Sequence, residues 1–242
     1  MKPYLHILAA TDFSDTATRA AAQALRLAQR FGAKLTLVHV LEPFGHAVYM
    51  PAMFPGTLAE LEREALRAVT ARLGEQAREL GHTGAVDVSV SPNAGLGVVE
   101  AARAHRADLI VVGTHGRTGL ERLLIGSVAT KVVRHSAVDV LTVPPSGTLV
   151  DQAGSCVLAA SDLSHASVAG LRRAGWLAAR LDAETKIVHA LNAAYLSPRG
   201  DDEARADARK RLEALASEAE IEADIDIVVG EHVVTALCDH AD

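Results

Sequence analysis

The chain has 242 residues and a formal net charge of −6; 49% of its residues are hydrophobic but only 3% are aromatic. This composition predicts one large or two small globular domains with an aliphatic core, and it excludes a mostly disordered chain. The acidic balance argues against a nucleic-acid partner, and the absence of both a signal-peptide pattern and an apolar run of about 20 residues argues against a membrane, so we expect a cytoplasmic protein.

The first 145 residues alternate short apolar runs with helical patterns. Ser14 or Asp15 can cap the first helix and Gly32 can end it, whereas residues 42–56 are rich in Pro and Gly and predict a loop. We predict strands at residues 4–10, 34–40, 86–90, 108–113 and 138–143, and helices at residues 15–31, 57–80, 95–106 and 127–134.

Strands that alternate with helices predict right-handed crossovers and a mostly parallel sheet covered on both faces. In such sheets, ligands bind beyond the carboxyl ends of the strands, where the strand order reverses. The first and fourth strands are the expected neighbours at that point. Their carboxyl ends carry Thr11, Asp12 and Gly113.

The sequence also repeats itself at a constant offset, without a gap. Residues 6–14 (HILAATDFS) align with residues 156–164 (CVLAASDLS), and residues 33–39 align with residues 183–189. We infer two copies of one unit. The second copy is expected to be incomplete and to lack the glycine-rich loop and the last two strands. The predicted organisation is a complete domain at residues 1–145, a linker at 146–154 and an incomplete copy at 155–242.

A glycine-rich segment, residues 113–127 (GTHGRTGLERLLIGS), follows the predicted fourth strand. Glycines let backbone N–H groups approach an anion, and the helix that begins at Gly126-Ser127 favours phosphate at its N-terminus. Ser127 adds a hydroxyl donor and Arg117 a positive charge. The segment therefore predicts a cradle for a di- or triphosphate, although it is not a Walker loop because it has no Gly-Lys-[Ser/Thr].

A second glycine pattern, Gly95-Leu96-Gly97, suggests a dinucleotide-binding fingerprint. Glu100 stands where that fingerprint needs its third glycine. The alternative is therefore the weaker of the two.

The spacing Gly113-x2-Gly116-x9-Gly126-Ser127 resembles the nucleotide-binding signature of the universal stress protein family. Residues 108–116 also look like the fourth strand of that family, and residues 7–14 look like its first strand and loop. The resemblance implies an α/β fold: an open, mostly parallel five-stranded sheet of order 3-2-1-4-5 with helices on both faces, followed here by the second, incomplete copy. It further implies ATP, with Mg or Mn, at the switch point.

The resemblance also implies roles for individual residues. Asp12 would contact the ribose, backbone groups of Val40 would meet the adenine, and glycines with Ser127 would hold the phosphates. Family members commonly pair through the fifth strand, which implies a homodimer. The positions implied around the nucleotide are Ala10, Thr11, Asp12, Val40, Val112, Gly113, His115, Gly116, Arg117, Gly126, Ser127, Val128 and Ala129.

Structural roles remain as alternatives for several residues. Asp12 can cap the first helix or stabilise the turn, and Asp162 can be a helix cap or a relic of the repeat. His39 and its repeat His189 can serve packing or hydrogen bonding inside the fold. His115 has either a phosphate contact or a supporting role, and Arg117 has the alternative of a solvated charge. These alternatives are open at the level of sequence.

Three functions compete at this level. The first is an ATP-binding regulatory module with one nucleotide per chain and little or slow hydrolysis. The second is a slow ATPase or adenylyl-transfer enzyme, and the third is a nucleotide-free dimerisation scaffold. The first is favoured because the sequence has a phosphate cradle but no evident paired carboxylates, no Ser/His/Asp set and no P-loop lysine. We predict no catalytic residues and no side-chain metal ligands.

Overall fold

A computed structural model describes residues 2–43, 58–114, 126–146, 155–195 and 201–241. The chain divides into two units, Lys2–Val150 and Asp151–Asp242, and each is described separately. None of the helices in these described ranges has both the length and the apolar composition that crossing a bilayer requires.

The described part of the first unit alternates strands and helices, and every strand pair in it is parallel. The sheet order β3-β2-β1-β4-β5 confirms the predicted fold class. The strands are β1 (His6–Ala10), β2 (Lys34–Leu41), β3 (Ala85–Val90), β4 (Leu109–Gly113) and β5 (Asp139–Val143), and the helices are α1 (Asp15–Phe31), α2 (Leu58–Glu79), α3 (Ala94–His105) and α4 (Ser127–His135).

Local side-chain chemistry fixes the two ends of α1. The Ser14 hydroxyl accepts a hydrogen bond from the Ala17 N–H at 3.2 Å, so Ser14 is the N-cap and Asp15 is the first helical residue. Gly32 ends the helix in the left-handed region, with a φ of 65°. Both boundaries agree with the prediction from sequence, since they depend only on residues within one turn.

The helices cover the sheet on both faces. Right-handed crossovers place α1 and α2 on one face, and α3 and α4 on the other, because the connection from β3 to β4 runs back across the sheet. Ile7 and Leu8 are fully buried and, as neighbours on β1, point to opposite faces. A core therefore lies on each side of β1, and the carboxyl ends of the central strands meet between the two helical layers.

The second unit repeats the opening of the first. Its described strands are parallel and form a sheet of order β6-β7-β8. Cys156 pairs with Glu184 as His6 pairs with Lys34, which reproduces the register of the first unit at the same repeat offset. Its elements are β6 (Cys156–Ala160), α5 (Ser167–Leu181), β7 (Glu184–Asn192), a 3-10 turn (Ala193–Tyr195), α6 (Asp201–Ala219), β8 (Asp224–Gly230) and α7 (Val233–Ala241).

Candidate functional site

A cavity of about 230 Å³ lies at the carboxyl edge of the first sheet, where the strand order reverses between β1 and β4. The structure brings ten of the predicted positions to its wall, and their contact with a ligand stays a prediction. His115, Gly116 and Arg117 lie outside the described residues. The ten are Ala10, Thr11, Asp12, Val40, Val112, Gly113, Gly126, Ser127, Val128 and Ala129.

The turn after β1 forms one rim of the cavity. The Thr11 N–H donates to the Val38 carbonyl at 2.9 Å, and the Thr11 hydroxyl accepts from the Phe13 N–H at 3.0 Å. Thr11 therefore shapes the turn with its own polar groups. Asp12 follows it, and its Oδ1 accepts from the Ser14 N–H at 3.0 Å. Asp12 thus stabilises the turn and lines the cavity at the same time, while the helix cap itself is Ser14.

The end of β2 presents a peptide group to the cavity. Alternate residues of a strand direct their N–H and C=O groups to opposite neighbours. The Val38 carbonyl accepts from Thr11 on the β1 side, whereas the Leu41 carbonyl accepts from Ser91 on the β3 side. The peptide groups of Val40 therefore face the β1 side. Since β1 pairs with β2 only as far as Val38, the Val40 N–H and C=O point into the space beyond its end.

Apolar side chains form the inner wall. Val40 comes from β2, Val112 from β4, and Ala94 and Val98 from one face of α3. The close packing of α3 on β2 depends on Gly97, because a Cβ there would lie 2.7 Å from Val40 Cγ1. We call these four apolar side chains the apolar slot, and the Val40 peptide group lies beside it.

Helix packing also explains the second glycine pattern, Gly95-Leu96-Gly97. Gly95 and Gly97 lie inside the first turns of α3 rather than in a strand-to-helix turn. A Cβ on Gly95 would lie 2.7 Å from Lys131 Cβ on α4. The observed positions therefore assign both glycines to helix packing, which weakens the dinucleotide alternative.

The N-terminus of α4 forms the opposite rim. Its N-cap, Gly126, supplies no side-chain hydrogen bond, so helix geometry leaves the Ser127, Val128 and Ala129 N–H groups without an intrahelical acceptor. The Gly126 N–H itself donates to the Thr114 carbonyl at 2.6 Å. This bond joins two residues of the glycine-rich segment that are twelve positions apart in the sequence, and both of them line the cavity.

His39 lies in the cavity wall and is buried. Its Nδ1 is 2.7 Å from the Thr11 carbonyl oxygen, which only accepts, so Nδ1 carries the proton. In the sequence, His39 stood out only because it recurs as His189. The Nδ1 of His189 lies at the same distance, 2.7 Å, from the Ser161 carbonyl oxygen. The lining residues that the sequence did not single out as ligand positions are Ala17, His39, Ala94, Val98 and Thr114.

The corresponding turn of the second unit places two serines beside its aspartate. Asp162 Oδ1 accepts from the Ser164 N–H at 2.9 Å and from the Ser167 hydroxyl at 3.0 Å. Hydrogen bonds from Ser164, then from Ser167, lower the pKa of Asp162 from 3.8 to about 2. These bonds give Asp162 a role in the turn before α5, whose N-cap is Ala166.

The described residues contain no group of three or more His, Cys, Asp or Glu side chains that could hold a metal ion. The lining of the first cavity is chemically mixed. It combines a slot, a peptide edge, a carboxylate and several uncapped amides.

A parallel sheet of this order, with helices on both faces and a cavity at its switch point, defines an open, doubly wound α/β protein. Residues 3–144 match the universal stress protein family, and the chain belongs to that family.

Individual relatives agree with this assignment. A universal stress protein of Methanocaldococcus jannaschii is 37% identical over 146 residues, covering 58% of this chain and 82% of that protein. A universal stress protein of Thermus aquaticus is 38% identical over 138 residues, covering 57% of this chain and 96% of that protein. The crystal structure of a universal stress protein from Archaeoglobus fulgidus shares the fold, with a TM-score of 0.64 at 18% identity over 97% of this chain and 80% of that one.

Proposed function

We propose that the first unit binds ATP and acts as a nucleotide-dependent regulatory module with little or slow hydrolysis. The observation that carries the proposal is the convergence of four chemically different groups on one cavity. These are the apolar slot, the Val40 peptide edge, the Asp12 carboxylate and the uncapped amides that begin α4. Each suits a different part of ATP.

The slot and its edge suit adenine. Val40, Ala94, Val98 and Val112 line the cavity and offer apolar contact to a flat ring. The Val40 N–H and C=O offer one donor and one acceptor to the polar edge of that ring. A nucleobase buried in this way gains from the hydrophobic effect without leaving its ring nitrogens unsatisfied.

The two rims suit the ribose and the phosphates. Asp12 accepts hydrogen bonds from sugar hydroxyls, and the N-terminal amides and dipole of α4 favour negative charge. Gly116 and Arg117 complete the proposed phosphate contacts. Mg or Mn is expected to be held mainly by the phosphates themselves.

The test compares matched aspartates in the two units. Asp12→Asn keeps the Oδ1 acceptor for the Ser14 N–H but loses the charge, whereas Asp162→Asn makes the same change in the equivalent turn. A hydrogen bond to a charged group contributes about 1.5–3 kcal/mol, so we expect Asp12→Asn to weaken ATP binding about 10- to 100-fold in calorimetry. Asp162→Asn should bind as the wild type does. Failure of the wild type to bind ATP would refute the proposal.

The dimer is part of the same proposal. β5 is an edge strand of the first sheet, and unpaired edges favour association through backbone hydrogen bonds. We expect a homodimer formed through β5, with light scattering giving twice the chain mass at micromolar concentration. A monomer under those conditions would contradict it.

A further inference from the structure

Phe13 adopts a backbone conformation that L residues seldom take. Its φ of 67° places it in the left-handed region, where a Cβ is strained. It stands between Asp12, which lines the cavity, and Ser14, which caps α1. Strain of this kind persists only where the surroundings enforce it, and it concentrates at functional sites.

The Phe13 ring contacts two side chains from other elements, and we call this arrangement the aromatic clamp. The His39 ring stacks on it at a centroid distance of 4.6 Å and an interplanar angle of 26°. The Arg72 guanidinium lies 4.3 Å from the ring centroid. The ring therefore joins the end of β2 to α2 through the turn that carries Asp12.

The second unit shows that the turn itself does not need this ring. Leu163 takes the place of Phe13 with nearly the same φ, 63°. The Leu163 N–H donates to the Ser161 hydroxyl at 3.1 Å, as Phe13 does to Thr11 at 3.0 Å. The same backbone turn forms around a side chain that cannot stack. The aromatic clamp of the first unit is thus additional to the fold of the turn.

We propose that Phe13 is a positioning residue for the nucleotide site. In contact with His39 and Arg72, it restricts the motion of the turn and keeps the Asp12 carboxylate oriented toward the ribose. It also couples that contact to α2, through Arg72. This inference rests on the proposed function, because it assigns Phe13 a role through Asp12 and not through direct contact with ATP.

The diagnostic experiment measures discrimination between two ligands, ATP and 2′,3′-dideoxy-ATP, which lacks the ribose hydroxyls. We expect the wild type to bind ATP about 10-fold or more tightly than the dideoxy analogue. Phe13→Leu introduces the residue of the second unit and should reduce that ratio to about 3 or less, mainly by weakening ATP. Binding of the dideoxy analogue should change less than about 2-fold, since it does not use Asp12.

Matched variants separate positioning from general damage. Arg72→Ala removes one of the two contacts of the Phe13 ring. Because Arg72 is exposed, this variant keeps the test available if Phe13→Leu does not fold. It should lower the same ratio by a smaller factor. Leu163→Phe in the second unit should leave both affinities unchanged. In the Asp12→Asn background, Phe13→Leu should have almost no further effect on the ratio, because the two residues act on one contact.

The outcomes are distinct. Equal weakening of both ligands by Phe13→Leu and by Arg72→Ala, or an unchanged ratio in both variants, would overturn the positioning role while leaving ATP binding intact. A wild type that binds both ligands equally would also overturn it. A wild type that binds neither would refute the proposed function itself, and the inference with it.

Discussion

At the scale of single residues, one sequence difference between the repeats changes the surroundings of the two matched aspartates. Asp12 and Asp162 occupy the same turn, and in each the Oδ1 accepts from the N–H two residues later. The position five residues further on is Ala17 in the first unit and Ser167 in the second. The Ser167 hydroxyl lies 3.0 Å from Asp162 Oδ1 and 2.7 Å from the Ser164 carbonyl oxygen, so the two acceptors share one donor, whereas Ala17 has no hydroxyl and lines the cavity. The substitution therefore gives Asp162 a hydroxyl contact that Ala17 cannot give Asp12.

The pKa of Asp162 makes this difference measurable. Its depression to about 2 means that the ionised form stabilises the fold fully above the ordinary value of 3.8, and that this contribution is lost as the pH falls through the folded value. An NMR titration of the side-chain carbonyl should give a midpoint near 2. Ser167→Ala should raise that midpoint toward 3.8, though only in part, because the Ser164 bonds remain. An unchanged midpoint would contradict the assignment.

The repeats differ again at the scale of the helix. Gly32 ends α1 and Asp182 ends α5 at the same repeat position, with φ values of 65° and 55°. Glycine adopts this conformation without strain, whereas aspartate carries part of the steric cost. The backbone N–H of each residue still caps its helix, at the Ala28 and Ala178 carbonyls. The second unit thus keeps the cap geometry with a less suitable residue.

Asp182→Gly is accordingly expected to stabilise the second unit by about 0.5–1 kcal/mol, since it relieves the left-handed strain. The single tryptophan, Trp176, lies on α5 and reports urea unfolding of this unit by fluorescence. The mirror change, Gly32→Ala, should destabilise the first unit by a similar amount, measured by circular dichroism. If Asp182→Gly lowers the urea midpoint, the cap has a requirement other than backbone strain.

At the scale of the whole molecule, the proposed nucleotide site needs three elements at once: the turn after β1, the end of β2, and the N-terminus of α4. The described part of the second unit supplies the equivalent of the first two, since β6 and β7 repeat the register of β1 and β2. Its three-stranded sheet does not contain counterparts of β4 and β5. In the described residues, the two units are therefore related in fold, and the first unit has all three of these elements.

We therefore expect one ATP per chain. Calorimetric titration should give a stoichiometry of one, and Asp12→Asn should weaken that site, whereas Asp162→Asn should leave both stoichiometry and affinity unchanged. A second site of comparable affinity would show that the second unit holds phosphate by other groups.

Much of this protein was predictable from sequence because it rests on local interactions. Apolar runs, the cap at Ser14 and the left-handed Gly32 act within a few residues, so the helix and strand positions were close to those observed. Because the sequence repeats, the strand pairing of the first unit recurs in the second unit with the same parallel register. The glycine-rich segment predicted a site at the carboxyl ends of the first and fourth strands because its signals are contiguous in the chain.

Tertiary packing determined the rest. Ala94 and Val98 join the cavity only because α3 crosses back over the sheet and packs against β2 through Gly97. The clamp of Phe13 unites residues from the turn after β1, β2 and α2 that are far apart in the sequence. A local pattern specifies which elements form, but the contacts between elements depend on how the chain crosses the sheet. The sequence by itself determined the helices, the strands and the position of the proposed site at the carboxyl ends of the first and fourth strands. The folded structure determined the cavity wall that α3 contributes and the contacts of Phe13 beside Asp12.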